Sequence, residues 1–336
     1  MADALVLQVV VILLATVAIW VGSSWLEEAS AKLAVYYDLP PVVQGGIIAA
    51  VGSSFPELAS VIFAALAGSF GLGVGAIVGS AIFNVLVIPA LAVLVAGTPI
   101  EATRTLVHKE TLFYLLSVVV LFLTFALALV YYPVDGSLTG ELTRPLVLFP
   151  LAVYVLYLFL QWQDTTDYGG RVQTMSIQPM KQWGLLVAGL VVILVAVERL
   201  VHAVIVLGDA AGTPEFFWGV TIVAAATSLP DALVSVQAAG KNRDVASIAN
   251  VVGSNTFDLL VVIPLGVLLT GVAPVDFGIT APMMGVLVLA TAVLFITLRT
   301  DLLLTRREAY VLLVAYLAFV GWVLAEALRI VTVLPS

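Results

Sequence analysis

Residues 52–57 read Gly-Ser-Ser-Phe-Pro-Glu, and residues 226–231 read Ala-Thr-Ser-Leu-Pro-Asp. A second pair of segments consists of Gly-Ser-Ala-Ile-Phe-Asn at 79–84 and Gly-Ser-Asn-Thr-Phe-Asp at 253–258. Both pairs are offset by 174 residues, since 231 − 57 and 258 − 84 are equal. Chance matches between apolar helices are common, but two polar motifs at one ungapped offset indicate an internal duplication.

The composition around these motifs excludes a water-soluble fold. Of the 336 residues, 62% are apolar and 10% are charged, against about 45–50% and about 25% in soluble domains. The chain has no cysteine, which excludes disulfides and cysteine metal sites, and its two histidines leave little for a metalloenzyme. Apolar runs of about 20 residues, the length of a membrane-spanning helix, predict a multi-pass membrane protein.

The apolar runs predict an all-α membrane protein with ten transmembrane helices. A polar linker at 163–181 separates the halves 1–162 and 182–336. Each half has an odd number of helices, so the two halves are expected to enter the membrane in opposite orientations, as two inverted five-helix repeats. The predicted spans are 4–30, 41–67, 72–97, 111–132, 145–162, 182–207, 215–240, 245–271, 278–298 and 308–334.

Basic residues predict the orientation of this ten-helix topology. Ten of them fall on one side of the membrane, whereas only Arg144 and Arg329 fall on the other. By the positive-inside rule the 163–181 linker is cytoplasmic, and both termini are outside the cell membrane. The ten are Lys32, Arg104, Lys109, Arg171, Lys181, Lys241, Arg243, Arg299, Arg306 and Arg307.

Three acids are predicted deep inside spans, where no lysine or arginine lies at the same depth: Glu57, Asp231 and Asp258. A carboxylate at the bilayer centre costs at least about 2.5–3.5 kcal/mol on insertion scales, so such residues usually face a polar pathway. We therefore expect these three acids to bind cations.

Other polar or small positions in the spans have simpler interpretations. Glu198 is expected to pair with its neighbour Arg199, and Glu27 and Glu28 are expected to be solvated near the inner end of the first span. The glycines at 71, 73, 75 and 79 are expected to allow close helix packing.

Proline directly precedes Glu57 and Asp231 and predicts a broken helix at each acid, because proline has no N–H and frees a backbone carbonyl. Calcium takes 6–8 oxygen ligands, whereas softer metals prefer histidine or cysteine. Asn84 and Asp258, each 27 residues after the acid of its half (84 − 57 and 258 − 231), are positioned to complete an all-oxygen shell. The hydroxyls available beside the acids are those of Ser53, Ser54, Thr227 and Ser228.

At these residues the chain resembles the cation/calcium exchanger superfamily, specifically the sodium/calcium exchangers of prokaryotic type, without a regulatory domain in the linker. The resemblance lies in their two alpha repeats, here about 42–90 and 216–265. It implies central calcium ligands at Glu57 and Asp231, with oxygens of Ser53 and Thr227. It also implies alternating access by sliding of the first and sixth helices. The implied sodium ligands are Ser54, Ser80, Asn84, Ser228, Ser254 and Asp258, with the backbone carbonyls of Ala50 and Ala224.

The chain departs from the usual motifs in ways that leave potassium coupling open. Ser53 replaces a threonine, Ala226 replaces a glycine, and Ala76 and Ala81 replace asparagines. The Gly-Ser-Ala-x-Phe-Asn form of the first repeat, with Pro-Asp and Phe-Asp in the second, resembles the potassium-dependent branch. The charge of the three intramembrane acids would be balanced by Ca²⁺ with K⁺ or by three Na⁺. Protonation of Asp258 while calcium is bound would serve equally.

The leading hypothesis is a membrane antiporter, not an enzyme, that exchanges Na⁺ entering for Ca²⁺ leaving, with or without K⁺ co-transport. It needs no cofactor, its partners are inorganic cations and the lipid bilayer, it binds no nucleic acid, and a monomer is expected to suffice. The alternatives are an antiporter of H⁺ for Ca²⁺ or another divalent cation, and a cation channel. The absence of His-Glu-x-x-His and Gly-x-Gly-Asp motifs argues against an intramembrane protease.

Overall fold

A computed structural model describes residues 2–37, 50–134, 137–165, 177–241 and 243–331. The helices of the first half are α1 (Ala2–Tyr36), α2 (Ala50–Ser53), α3 (Phe55–Leu66), α4 (Phe70–Leu86), α5 (Ile88–Ala96), α6 (Thr111–Tyr131) and α7 (Arg144–Thr165). Those of the second half are α8 (Pro179–Ala211), α9 (Glu215–Trp218), α10 (Ala224–Thr227), α11 (Leu229–Gly240), α12 (Asp244–Phe257), α13 (Ile263–Thr270), α14 (Phe277–Arg299) and α15 (Arg306–Ala327). Of three π-helical segments, Leu106–Glu110 leads into α6, Gly219–Val223 joins α9 to α10, and Asp258–Val262 joins α12 to α13.

The described residues contain eight helices long and apolar enough to cross a membrane. A ninth span results if Glu215–Thr227 and Leu229–Gly240, which are bent by 44°, are counted as one. Of the predicted span 41–67, the part from Ala50 onward is described and forms α2 and the short apolar α3; 41–49 lies outside the described residues. So does 166–176 of the predicted linker. The chain is thus a predominantly helical membrane protein, and the count of ten spans stays a prediction.

The same helix interruption occurs in both halves. Ser54 separates α2 from α3, Ser228 separates α10 from α11, and the bounds of the first pair recur 174 residues later in the second. Pro56 and Pro230 stand in the first turn after each interruption. Because proline cannot donate a helical hydrogen bond, the carbonyl four residues before each one loses its usual partner. The predicted break beside each proline is confirmed.

The two halves meet along α4. A Cβ added to Gly79 would lie 2.6 Å from Cα of Val220, so only glycine permits this approach to the segment Gly219–Val223. The expected packing role is also confirmed for Gly73 and Gly75, whose added Cβ atoms would meet Val61 and Phe216. It is wrong for Gly71, where a Cβ would have nothing within 4 Å.

Two short antiparallel sheets, absent from the all-α prediction, link loops that are distant in sequence. β1 (Ile100–Glu101) pairs with β4 (Leu303–Leu304), and β2 (Thr139–Thr143) pairs with β3 (Val272–Asp276). Pairing between connectors satisfies backbone donors and acceptors that a loop near the bilayer would otherwise leave without partners. The all-α class is corrected to this extent.

α1 and α8 pack against each other at the edge of the molecule. A Cβ on Gly189 would lie 2.7 Å from the carbonyl oxygen of Gly22, so the two helices approach closely there. With 35 and 33 residues, at about 1.5 Å per residue, both are longer than the roughly 30 Å hydrocarbon core. They run beside the broken helices rather than through the centre.

Candidate cation site

The structure brings the three intramembrane acids into one buried region. Glu57 lies in the first turn of α3, Asp231 in the first turn of α11, and Asp258 at the start of the segment Asp258–Val262. Each has a relative exposure of 0%. The charge of Glu57 interacts with those of both aspartates, and Asp258 interacts with Asp231. Like charges in a medium of low dielectric repel unless a cation or a proton compensates them.

No basic side chain in the described ranges forms an ion pair with these acids. Ion pairs elsewhere in the described ranges include Lys32–Glu28, Lys109–Glu110 at 3.7 Å and Arg199–Glu198 at 3.0 Å, the last of which confirms the expected pairing. Among the same residues, no group of three His, Asp or Glu side chains is close enough to hold a metal ion alone. A cation bound between these acids would therefore also need hydroxyl, amide or backbone oxygens.

An amide on α4 crosses from the first half to the acid of the second. Asn84 Nδ2 donates to Asp231 Oδ2 at 3.0 Å and to Asn255 Oδ1 at 2.9 Å. Asn255 in turn donates through Nδ2 to the carbonyl of Ala81 at 3.2 Å and to the Tyr114 hydroxyl at 3.1 Å. This network fixes the orientation of the Asn84 amide.

The hydroxyls of the broken helices also cross between the halves. Ser53 interacts with Asp231, and Thr227, its counterpart 174 residues later, interacts with Glu57. The hydroxyl of Ser54 lies beside Asp258, without a hydrogen bond of normal geometry between them. Each acid is therefore lined by the helix break of the opposite half.

Two serines one turn before Asn84 and Asp258 extend the polar lining. Ser80 Oγ lies 3.5 Å from Glu57 Oε1 and accepts a 2.7 Å hydrogen bond from Ser228 Oγ. Ser254, the counterpart of Ser80, interacts with Asp231. These residues are almost fully buried, so their oxygens line the region between the acids.

Equivalent positions in the two halves behave differently. Asn84 donates a hydrogen bond to one oxygen of Asp231, whereas its counterpart Asp258 presents a negative charge to Glu57. The equivalent positions therefore supply an amide donor in one half and an additional negative charge in the other.

Several oxygens in this region are buried and have no hydrogen-bond partner among the described residues. They are Glu57 Oε2, Asp231 Oδ1, both carboxylate oxygens of Asp258, Asn84 Oδ1 and Ser54 Oγ. Buried polar atoms are seldom left unpaired, because their desolvation is not recovered. Their convergence indicates a place for cations.

The two backbone ligands implied by the family resemblance lie at the start of α2 and α10. Ala50 begins α2. The carbonyl of Ala224 accepts a 3.0 Å hydrogen bond from the backbone N–H of Ser228. The Thr227 hydroxyl also donates to this carbonyl, at 3.4 Å, so a cation bound there would replace that longer contact.

Sequence reasoning missed three residues near the acids. Asn255 and Tyr114 belong to the network that holds Asn84. The sequence signal for Asn255 was the asparagine at this position of the second repeat, where the first repeat has Ala81. Glu27, which was expected to be solvated, is half-buried, and its Oε1 is enclosed without a partner among the described residues. Glu28 is exposed and pairs with Lys32. Helical spacing places these adjacent residues on different faces of α1.

A sequence model of the family described as "Sodium/calcium exchanger protein" matches residues 7–163 and 181–325. The chain belongs to the sodium/calcium exchanger family. Members of this family are membrane transporters of inorganic cations rather than enzymes. Membership supports the exchange of cations, including calcium, as the activity.

Individual proteins resemble this exchanger to different extents. It is 31% identical to "Putative antiporter CaxA" of Alkalimonas amylolytica over 90% of this chain and 93% of the relative. A local match, 41% identical over 100 residues, covers 29% of this chain and 15% of "Sodium/potassium/calcium exchanger 4" of Mus musculus. The fold is similar to that of the sodium-calcium exchanger NCX_Mj soaked with Na⁺ and Sr²⁺. That similarity has a TM-score of 0.64 at 24% identity and covers 94% of this chain and 98% of the other.

Proposed function

We propose that the protein is a secondary antiporter that moves Na⁺ into the cell and Ca²⁺ out of it by alternating access. The observation that carries the proposal is the buried cluster in which Asn84 donates to one oxygen of Asp231 while Asp258 faces Glu57 without a compensating base among the described residues. A site with surplus negative charge and unpaired oxygens stabilises cations. It can be neutralised either by a divalent ion with a monovalent one or by several monovalent ions.

The oxygens divide into a central and a flanking set in this proposal. Calcium would bind between Glu57 and Asp231, assisted by Ser53 and Thr227, because each of these hydroxyls faces one of the two acids. Sodium would bind the flanking oxygens. Glu57 and Asp231 already balance the two charges of Ca²⁺, and Asp258 would supply the negative charge at the flanking positions. The flanking set is Ser54, Ser80, Asn84, Ser228, Ser254, Asp258 and the carbonyls of Ala50 and Ala224.

Alternating access would come from movement of α1 and α8 across a core built on α4. The close contact between Gly22 and Gly189 couples α1 to α8, so the two helices can slide together. Helices α3 and α11, which start at the two breaks, would open in turn to opposite faces of the membrane in an inverted-repeat transporter. Both halves of one chain supply the acids, which supports a monomer as the transporting unit.

The loop contacts support ten spans with the linker in the cytoplasm. The β1–β4 sheet joins the connector before α6 to the connector before α15, and the Glu101 N–H donates to Asp244 Oδ2 at 3.0 Å. These are the connectors to which the basic residues were assigned. The β2–β3 sheet and the 2.8 Å hydrogen bond from Ser69 to Glu215 join connectors assigned to the other face. Each contact thus links connectors that the proposed topology places on the same side.

Potassium co-transport remains an extension of the proposal. The local similarity to a sodium/potassium/calcium exchanger and the alanine at 81 favour it. A third carboxylate near the calcium position would allow Ca²⁺ and K⁺ to be neutralised together.

The decisive experiment uses the purified full chain in sodium-loaded liposomes diluted into sodium-free buffer that contains ⁴⁵Ca²⁺. We expect calcium uptake that requires the outward sodium gradient, and no gradient-dependent uptake would refute the proposal. Repeating the assay with and without K⁺ tests co-transport.

Two controls separate the other transport classes. Uptake driven equally by a pH gradient in the absence of sodium would indicate proton/calcium antiport. Calcium flux down its own gradient without a counter-ion would indicate a channel.

A further inference from the structure

Glu27 is a half-buried acid outside the site described above. It lies on α1, and its Oε1 has no hydrogen-bond partner among the residues that the structure describes. Its charge interacts with that of Asp231 on α11. No ion pair in the described ranges involves it. A carboxylate in this setting is costly unless something positive binds it.

The Glu27 side chain packs against the helix that leads into the first break. A Cβ built on Gly52 would lie at ordinary contact distance from the same helix face, 3.9 Å from Cγ of Glu27 and 3.6 Å from Oγ of Ser30, so the Gly52 backbone lies close to the Glu27 side chain. The carbonyl of Gly52 has no helical donor, because the residue four positions later is Pro56. Ser53, the next residue, faces Asp231. A carboxylate, a freed carbonyl and a second acid thus occur around one position.

The surrounding polar groups leave Oε1 of Glu27 without a hydrogen bond. The hydroxyl of Ser30 donates to the Leu26 carbonyl at 2.6 Å and to the Glu27 backbone carbonyl at 3.1 Å, so it is engaged with the helix. Asp231 Oδ1, which is fully buried, also lacks a partner. Two unpaired carboxylate oxygens on packed helices repel each other, and a cation bound between them would remove that repulsion.

We propose that Glu27 is an additional ligand for the divalent cation. Glu27 and the Gly52 carbonyl form an accessory site that shares Asp231 with the central site. This inference rests on the proposed exchange function. Because α1 is the helix expected to slide, Glu27 contributes its charge when α1 is in the position seen here and withdraws it as α1 moves. The accessory site therefore makes cation affinity depend on the position of α1.

The test compares Glu27→Gln with Glu28→Gln, an identical change at the adjacent, exposed acid. Equilibrium ⁴⁵Ca²⁺ binding to the purified full chain in sodium-free detergent solution is the first measurement. We expect Glu27→Gln to weaken calcium binding about tenfold, as removal of one nearby charge should. Glu28→Gln should bind within about twofold of wild type, and Glu27→Asp should recover most of the affinity. Calcium should also raise the melting temperature less in Glu27→Gln than in wild type.

The outcomes separate this inference from the proposed function. Calcium binding by folded Glu27→Gln equal to wild type overturns the accessory site, even if wild type exchanges sodium for calcium normally. A tenfold loss in Glu27→Gln supports it, even if wild type shows no sodium-driven flux and the exchange proposal fails. A loss of the same size in Glu28→Gln overturns it, because the effect would then reflect surface charge on α1.

Discussion

Asn84 donates a 3.0 Å hydrogen bond to Asp231, and the two residues are 147 positions apart in the chain. The bond joins a helix of the first half to the acid of the second. At the equivalent place, Asp258 faces Glu57 and contributes charge where Asn84 contributes a donor. The duplicated sequence has thus produced an asymmetric site, in which one position supplies an amide donor and its counterpart a third negative charge, and we propose that this surplus charge is what binds cations.

The orientation of Asn84 should depend on Asn255. Replacing Asn255 with alanine removes one hydrogen bond each from the Ala81 carbonyl, the Tyr114 hydroxyl and the Asn84 amide. We expect a loss of about 1–3 kcal/mol of stability, the usual cost of unsatisfied buried groups, and weaker calcium binding. Thermal unfolding and calcium titration measure both effects. Tyr114→Phe, which removes a single hydroxyl, should have a smaller effect; an equal or larger one would contradict this network.

Replacing Asp258 with asparagine should change sodium or potassium dependence more than calcium binding. The substitution removes the charge that faces Glu57 and leaves the bond between Asn84 and Asp231 intact. We expect the sodium concentration for half-maximal exchange to rise about tenfold, whereas calcium affinity changes less. Initial rates of calcium uptake at varied internal sodium test this, with Glu141→Gln in the exposed part of β2 as the control. Unchanged ion dependence would remove Asp258 from the sodium site.

Gly79 should tolerate no side chain. Alanine there would place a Cβ 2.6 Å from Cα of Val220, at the contact between the two halves. We expect Gly79→Ala to lower the melting temperature and the monodisperse fraction in size-exclusion chromatography. Gly71 on the same helix has open space, so Gly71→Ala should be neutral or stabilising by up to about 1 kcal/mol. Equal behaviour of the two variants would show that the close approach at α4 is wrong.

Membrane topology can be tested directly because the chain contains no cysteine. We expect a membrane-impermeant thiol reagent to label Ser137→Cys on intact cells and Thr105→Cys only after permeabilisation. Both positions are exposed. Ser137 lies in the connector that contains β2, and Thr105 lies in the connector that contains β1. Labelling of both cysteines from the same side would contradict the alternating topology.

The sequence predicts the broken helices well, because each break is caused by a proline in the same segment. The 174-residue offset shows that the second half repeats the motif. It predicts which residues are polar and buried, but not which half they face. Ser53 lies on the same chain segment as Glu57 yet interacts with Asp231, a result of how the two halves pack. The two loop sheets and the burial of Glu27 escaped prediction for the same reason, since both depend on contacts between distant segments.

The coupled movement of the two ions tests the central proposal most directly. ²²Na⁺ efflux and ⁴⁵Ca²⁺ uptake should be measured in the same proteoliposomes containing wild type, Glu57→Gln or Asp231→Asn. We expect a fixed ratio of sodium released to calcium gained in wild type. Both fluxes should fall at least about 100-fold in each variant, the scale of removing one charge from a buried ionic site. Calcium uptake without sodium release, or normal coupled exchange by both variants, would contradict the proposal.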